Sequence, residues 1–371
     1  MKIAIVHDYI TKVGGAERVL LVMHKIFPEA PIYTLLYDEN DTKGMFKDCD
    51  IRPSKLQKYP GFIRKRSRLL LSKFPKAIEQ LDLSDFNVVI SSSNSFAHGV
   101  KTKPGQLHIT YCYSPMRYAW DWTHKYLKEN NIGMGPLGLY VRSLISKLRI
   151  WDFYASGRTN EWVAISKTVA KRIKKYYRKE STVIYPPTDI DGLLKNDRPA
   201  QNYYLIVSRL TQYKNIDLAI KAFNKLKLPL YIIGEGADES RLKSLASDNV
   251  KFLGWQSDTD RNKYLSECKA FVFPGEDDFG LTPVEAMAAG RPVIALNAGG
   301  ATETVVAGKT GEFFNNLENP ADLIKTIEKI EETKYNASDC KNQAKKFSVD
   351  VFSREFKVFV ENKYEDYKKK S

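Results

Sequence analysis

Apolar residues in this chain come in short runs, and stretches of helical spacing separate them. In the first half the runs are KIAIVHD (2–8), PIYTLLY (31–37), NVVISSS (87–93), QLHITYCYS (106–114) and EWVAIS (161–166). In the second half they are YYLIVSRL (203–210), LPLYIIGEG (228–236), NVKFLGW (249–255), AFVFPG (270–275), PVIALN (292–297) and GEFFN (311–315). Helical periodicity fills gaps between them, as in AERVLLVMHKIF (16–27), IDLAIKAFNKL (216–226), ESRLKSLAS (239–247) and TDRNKYLSECK (259–269). Near-continuous apolar strands alternating with helices predict parallel sheets covered on both faces. The pattern breaks once, in YPPTDIDGLLKNDRPAQN (185–202), where Pro pairs and polar residues mark a linker. Two doubly wound α/β domains are therefore expected, 1–190 and 191–351, with a final helix over about 352–371 packing back on the first. In such sheets ligands sit beyond the carboxyl ends of the strands.

Composition narrows the partners. The 371 residues carry a net charge of +14. Lys and Arg number 31 against 17 Asp and Glu over residues 1–190, and 27 against 27 over the remainder, so the excess lies in the first half. An anionic partner for that half alone is implied, and nucleic acid, acidic lipid and phosphorylated substrate all fit. Four scattered cysteines without a CxxC pair fit a reducing compartment and no zinc site. No secretory leader and no long apolar span is visible, so a cytoplasmic chain is expected.

The chemistry concentrates in CKAFVFPGEDDFGLTPVEAMAAG (268–290). Glu276, Asp277 and Asp278 follow a buried strand, and like charges this crowded need a cation or hydroxyls to meet them. Phe279, Gly280, Leu281 and Thr282 offer free amides at a helix start, where anions bind. Thr282, Pro283 and Glu285 fit a capping box, with Glu285 bonding back to the Thr282 amide. Glu285 facing a ligand is the alternative. Upstream, Arg209 and Lys214 flank a strand-to-helix loop and suit one diphosphate, Arg by its fork and Lys as a point charge. Gly234 and Gly236 follow another strand and allow close approach to a ligand. Gly14 and Gly15 do the same after the first strand. Asp258 and Asp260 match a metal-binding DxD but precede a helical run and read better as capping.

Taken in order, Gly14-Gly15, Arg209 with Lys214, GEG and DDFGLTPVEAMAAGRPVIA followed by GG resemble the retaining, nucleotide-sugar-dependent glycosyltransferases of family 4. The resemblance covers nearly the whole chain. HDYITKVGGAERVL, YCYSPMRYAWD and FPGEDDFGLTPVEAMAAGRPVIAL look like the O-antigen and surface-polysaccharide mannosyltransferase branch. It implies the GT-B fold, two Rossmann-like domains facing across a cleft, with the acceptor on the first and the nucleotide sugar on the second. It also implies GDP-mannose as favoured donor, a lipid-linked saccharide acceptor, and neither metal nor cofactor. Asp277 then stands where the family's carboxylate meets donor-sugar hydroxyls, and Glu285 where a helix Glu grips the ribose. Arg209 and Lys214 stabilise the leaving diphosphate. The family has Glu at the Asp277 position, so Glu276 is the alternative sugar contact. Where the family carries a histidine in the first domain this chain has Tyr113, and His98 and His108 are out of register. A glycosidase leaves Arg209, Lys214 and the amide-lined loops unexplained. A GT-B sugar-nucleotide epimerase needs no basic first domain. A nucleic-acid-binding protein fits the pI of 9.3 but shows no recognised module.

One basic stretch suggests a place of work. YPGFIRKRSRLLLSKFPKAIEQL (59–81) sets Arg64, Lys65, Arg66 and Arg68 among Phe62, Ile63, Leu69, Leu70, Leu71 and Phe74. Read as one helix, it lies on an anionic membrane surface, placing the enzyme peripherally on the inner face of the plasma membrane. Ordinary core packing of the apolar residues is the competing reading. Nearby, Tyr113, Arg117 and Trp120 are the candidates for the acceptor, Arg117 toward phosphate and Trp120 against sugar.

Overall fold

In the computed structural model, which describes residues 1–129, 132–195 and 197–370, the apolar runs form parallel strands. The first sheet contains β1 (Ile3–His7), β2 (Ile32–Thr34), β3 (Ile51–Pro53), β4 (Val88–Ser93), β5 (Leu107–Cys112), β6 (Glu161–Ala164) and β7 (Thr182–Val183). Their order is β3-β2-β1-β4-β5-β6-β7. The second contains β8 (Tyr204–Val207), β9 (Leu230–Ile233), β10 (Val250–Gly254), β11 (Ala270–Phe273), β12 (Val293–Leu296) and β13 (Gly311–Phe314), in the order β10-β9-β8-β11-β12-β13. β1, β4, β5 and β11 are buried along their whole length, β11 as an unbroken apolar run and β4 with three buried serines at its end. The two strands the pattern missed are short edges: β3 is half exposed and ends in Pro53, and β7 has two residues.

The strand order reverses between β1 and β4 and again between β8 and β11, and ligands of doubly wound sheets bind at such switch points. The chain divides into two units, Met1–Tyr185 with Ser353–Ser371, and Pro186–Phe352. The break falls at the Tyr185-Pro186 step. The helix Val349–Lys370 carries Phe356 against Tyr111 and Phe27 of the first unit.

The basic stretch is not one amphipathic helix. It is a short helix Gly61–Lys65, a 3-10 turn Ser67–Lys73 and a second helix Phe74–Glu79, broken at Arg66. Leu70 and Phe74 are each 2% exposed and belong to the core of the first unit. Phe62 and Leu69 point outward, 70% and 64% exposed. Of the six apolar residues of the expected membrane stripe, then, two are core, and Ile63 and Leu71 are partly buried against it. No helix among the described residues is long and apolar enough to cross a membrane.

Candidate functional site

The loops leaving β8 and β11 meet in the second unit. After β8, Thr211 leads into a 3-10 turn, Gln212–Lys214, and Asn215 takes a left-handed conformation to start the helix Ile216–Leu226. Asn215 Nδ2 donates to the Pro274 carbonyl at 3.3 Å, fastening this turn to the loop after β11. A side chain on Gly275 would meet the Lys214 backbone at 3.0 Å, so the two loops lie against each other. Lys214, buried, then donates from Nζ to both carboxylate oxygens of Asp277, at 2.6 and 2.5 Å. Its ammonium lies 5.3 Å from the Tyr213 ring and 5.8 Å from the Phe273 ring. Arg209 is exposed and donates to the Tyr213 hydroxyl at 3.1 Å. The two expected cations therefore share Tyr213, a residue the sequence did not single out. Glu276 is exposed, and Asp277 and Asp278 are half-buried.

The helix after the carboxylates begins earlier than a capping box requires. It spans Leu281–Ala288 with Gly280 at its N-cap at φ 86°, a conformation that favours glycine, and no side chain caps it. Thr282 lies inside the first turn, so Glu285 is not the reciprocal partner of a Thr282 cap. Instead Glu285 Oε1 accepts from Arg261 Nη2 at 3.3 Å. Arg261 also reaches Asp258 at 3.3 Å. Leu281 and Thr282 present amides at the helix N-terminus, while Pro283 has none to offer. Phe279 is buried against Phe347, with ring centroids 5.4 Å apart, so its side chain is core. The DTD stretch is a helix start: Ser257 accepts from the Asp260 amide and donates to its carboxylate.

The glycines let the loops pack closely. A Cβ on Gly234, at φ 130°, would lie 1.9 Å from the Ser208 carbonyl oxygen, and one on Gly236 2.1 Å from that of Leu210. Both let the loops after β8 and β9 pack. Gly300 likewise admits Phe279, whose Cα would lie 2.2 Å from its Cβ, and its amide donates to Asp277 O at 2.8 Å. The Gly-Gly pair thus fixes the backbone of the carboxylate loop.

In the first unit the helix Gly15–Ile26 starts with Gly14 at its N-cap in extended conformation. A Cβ there would meet Glu17 Oε2 at 2.8 Å, so Gly14 makes room for a carboxylate of the first turn. Glu17 Oε1 lies 3.9 Å from His7 Nε2, and His7 Nδ1 3.0 Å from Ser92 Oγ. Ser92 reaches the Tyr113 hydroxyl at 2.9 Å, and Tyr113 donates to Ala16 O at 3.1 Å. Because the last acceptor is a carbonyl, Tyr113 must accept from Ser92, and Ser92 from His7. Tyr113 is buried, and burial pushes its hydroxyl far above the ordinary phenol range, against the opposing hydrogen bond from Ser92. It anchors the glycine loop; it is not open to an acceptor, contrary to its expected role. Asp8 was also missed: its buried carboxylate accepts from the amides of Asn94, Ser95, Phe96 and Ala97 at 2.6 to 2.9 Å, tying the loops after β1 and β4.

Arg117 lies over the Trp122 ring at 4.2 Å. Trp120 stacks on Tyr176 at 4.9 Å and donates to the buried Asp152 at 2.7 Å, so one ring face is already covered by protein. Asp152 also accepts from Tyr177 and faces His98, a core histidine among Trp151, Trp162 and Tyr177. A cavity of about 480 Å³ opens beyond β1 and β2, and three of the four expected membrane cations, Arg64, Lys65 and Arg68, line it. Arg66 does not.

Residues 194–347 match the family model described as Glycosyl transferases group 1. The match covers the loops that carry Arg209, Lys214 and Asp277 and the helix that carries Glu285. The alpha-1,3/1,6-mannosyltransferase of Dictyostelium discoideum is 26% identical over 244 residues, 53% of this chain and 57% of that protein. The O-antigen chain mannosyltransferase C of Escherichia coli is 27% identical over 158 residues, 39% of this chain and 42% of that one. The chain spans little more than half the length of the curated relatives it matches, 54% to 59% for three of them. Among solved structures, Anabaena HepE in complex with UDP superposes with a TM-score of 0.68 at 17% identity, covering 98% of this chain and 100% of that one. That likeness shows the fold: GT-B, with its two Rossmann-like domains.

Proposed function

We propose that the chain is a retaining, metal-independent hexosyltransferase of surface-polysaccharide synthesis. It moves a hexose, mannose from GDP-mannose in the first instance, to a lipid-linked or oligosaccharide acceptor. The observation that carries this reading is the Lys214–Asp277 pair at the β8/β11 switch point, next to the helix N-terminus at Leu281. A nucleoside diphosphate needs cations and amides there, and a hexose needs carboxylate acceptors. The pair holds one of each, poised to part. Lys214 turns to the diphosphate with Arg209, Asp277 accepts from the sugar hydroxyls, and Glu285, steered by Arg261, takes the ribose hydroxyls. As the glycosidic bond breaks, the diphosphate gains negative charge opposite Lys214 and takes the acceptor's proton, while the acceptor oxygen bonds the anomeric carbon on the face the diphosphate leaves, so configuration is retained. The relatives named as mannosyltransferases support the choice of sugar. Exposed Phe62 and Leu69 beside Arg66 support a peripheral position on an anionic membrane.

The test is hydrolysis of sugar nucleotides in the absence of acceptor, with the product anomer read by NMR and EDTA present. Release of α-mannose from GDP-mannose, undiminished by EDTA, is expected. Metal dependence or an inverted product contradicts the mechanism, and preference for another sugar nucleotide overturns the donor.

A further inference from the structure

The loop after β8 is fastened at several points along its own backbone. Leu210 is fully buried, its amide donates to the Glu235 carbonyl at 2.9 Å, and its carbonyl accepts from the Asp238 amide at 3.0 Å. The Thr211 amide donates to the Arg209 carbonyl and the Lys214 amide to the Thr211 carbonyl, each at 3.0 Å. The backbone from Arg209 to Lys214 is therefore one folded turn. Tyr213 stands in it between two cations. Its hydroxyl accepts from Arg209 Nη2 at 3.1 Å, and its ring centre lies 5.3 Å from the Lys214 ammonium.

The two cations are held by different means. Lys214 is buried and bonded to Asp277, which fixes its ammonium and also neutralises it. Arg209 is exposed, and among the described residues the Tyr213 hydroxyl is the only side-chain acceptor its guanidinium meets. A phenol is a neutral acceptor, so it gives the guanidinium a direction and leaves its charge available to an anion. A long exposed side chain without such a hold loses its rotamer freedom only on gripping a ligand, and affinity falls by that cost. Arg209 is thus set in place, still charged, one tyrosine ring away from Lys214.

We infer that Tyr213 is a positioning residue that fixes the span between Arg209 and Lys214 and thereby selects a nucleoside diphosphate over a monophosphate. A diphosphate carries a second phosphoryl group and reaches both cations, Arg by its fork and Lys as a point charge. A monophosphate is too short to engage both and leaves Arg209 unused. The inference rests on the reading of this loop as part of the donor site. To that reading it adds a residue, Tyr213, and a selectivity.

The experiment is calorimetric titration of the full chain with GDP and GMP, for the parent, Tyr213→Phe, Arg209→Ala and the double variant. The parent is expected to bind GDP at least tenfold tighter than GMP. Tyr213→Phe keeps the ring beside Lys214 and removes only the hydroxyl. It is expected to weaken GDP by about three- to tenfold, the worth of one hydrogen bond, and to leave GMP unchanged. In the Arg209→Ala background the same substitution is expected to change neither nucleotide. A merely structural role would instead weaken GDP and GMP alike and persist without Arg209. The inference is overturned, with the donor-site reading intact, by a parent that binds GDP no tighter than GMP. Equal losses for the two nucleotides in Tyr213→Phe, or a loss that survives in the Arg209→Ala background, overturn it in the same way. A parent that binds neither nucleotide refutes the donor-site reading, and the inference with it.

Discussion

Lys214 and Asp277, 63 positions apart, form a two-pronged ion pair across the β8/β11 switch point, with both side chains largely out of water at 11% and 28% exposure. Each residue is a donor-site candidate, and in the free protein each neutralises the other. A double-mutant cycle with Lys214→Ala and Asp277→Ala, read by urea unfolding, is expected to give a coupling of about 1.5 kcal/mol, the low end for hydrogen bonds between charged groups because Asp277 is partly wet. A coupling near zero would mean the pair does not persist in solution.

Pairing also separates the roles of the neighbouring acids. Asp277→Asn frees the Lys214 ammonium for a diphosphate, so GDP is expected to bind as tightly as before or tighter. Turnover falls on the order of 10–100-fold through the lost contact to a sugar hydroxyl. Glu276→Ala, at an exposed position, changes turnover less. Steady-state kinetics beside nucleotide titration measures both, and the reverse ranking would move the sugar contact to Glu276.

Gly234 tests packing against ligand approach. Gly234→Ala places a methyl 1.9 Å from the Ser208 carbonyl oxygen on backbone at φ 130°. Relieving that overlap is expected to cost on the order of 1–3 kcal/mol of stability. Unchanged urea stability with lost nucleotide affinity would return the glycine to the ligand.

Acid sensitivity has an identifiable source in His108. Burial pushes its imidazole down to about 3, against the opposing hydrogen bond to the Arg158 carbonyl. Unfolded, the same group titrates near about 6.5. Between these values the unfolded chain holds a proton that the folded chain refuses. The stability present above about pH 6.5 is therefore lost as pH falls toward 3, at up to about 1.4 kcal/mol per pH unit. His108→Gln is expected to flatten the urea midpoint between pH 6.5 and 4.5; an unchanged slope would assign the acid lability elsewhere.

Strand positions were legible because buried parallel strands leave short, largely apolar runs, and short edges such as β3 and β7 were not because they bury too little. Lys214 and Asp277 each stood out by charge beside a strand. That they pair was invisible, since it depends on Asn215 fastening its turn to Pro274 and on Gly275 clearing the Lys214 backbone. Thr282 misled for a related reason. Its local sequence satisfies a cap, but Gly280 at positive φ, with its preceding loop packed against Gly300, starts the helix two residues sooner. The hydrogen bonds that hold Tyr113 and Trp120 were invisible, because their partners, Ser92 and Ala16 for one and Asp152 for the other, come from distant segments. Of the basic stretch, its charge was legible; which leucines face the core was not.

The central claim is that the second unit binds a nucleoside diphosphate through Lys214 and Glu285. Calorimetric titration of the parent, Lys214→Ala and Glu285→Ala with GDP, UDP and TDP tests it most directly. GDP is predicted to bind the parent best, and each variant to lose about 1.5–3 kcal/mol of binding free energy, roughly 10–150-fold in affinity. Both variants binding all three nucleotides as the parent does would contradict it.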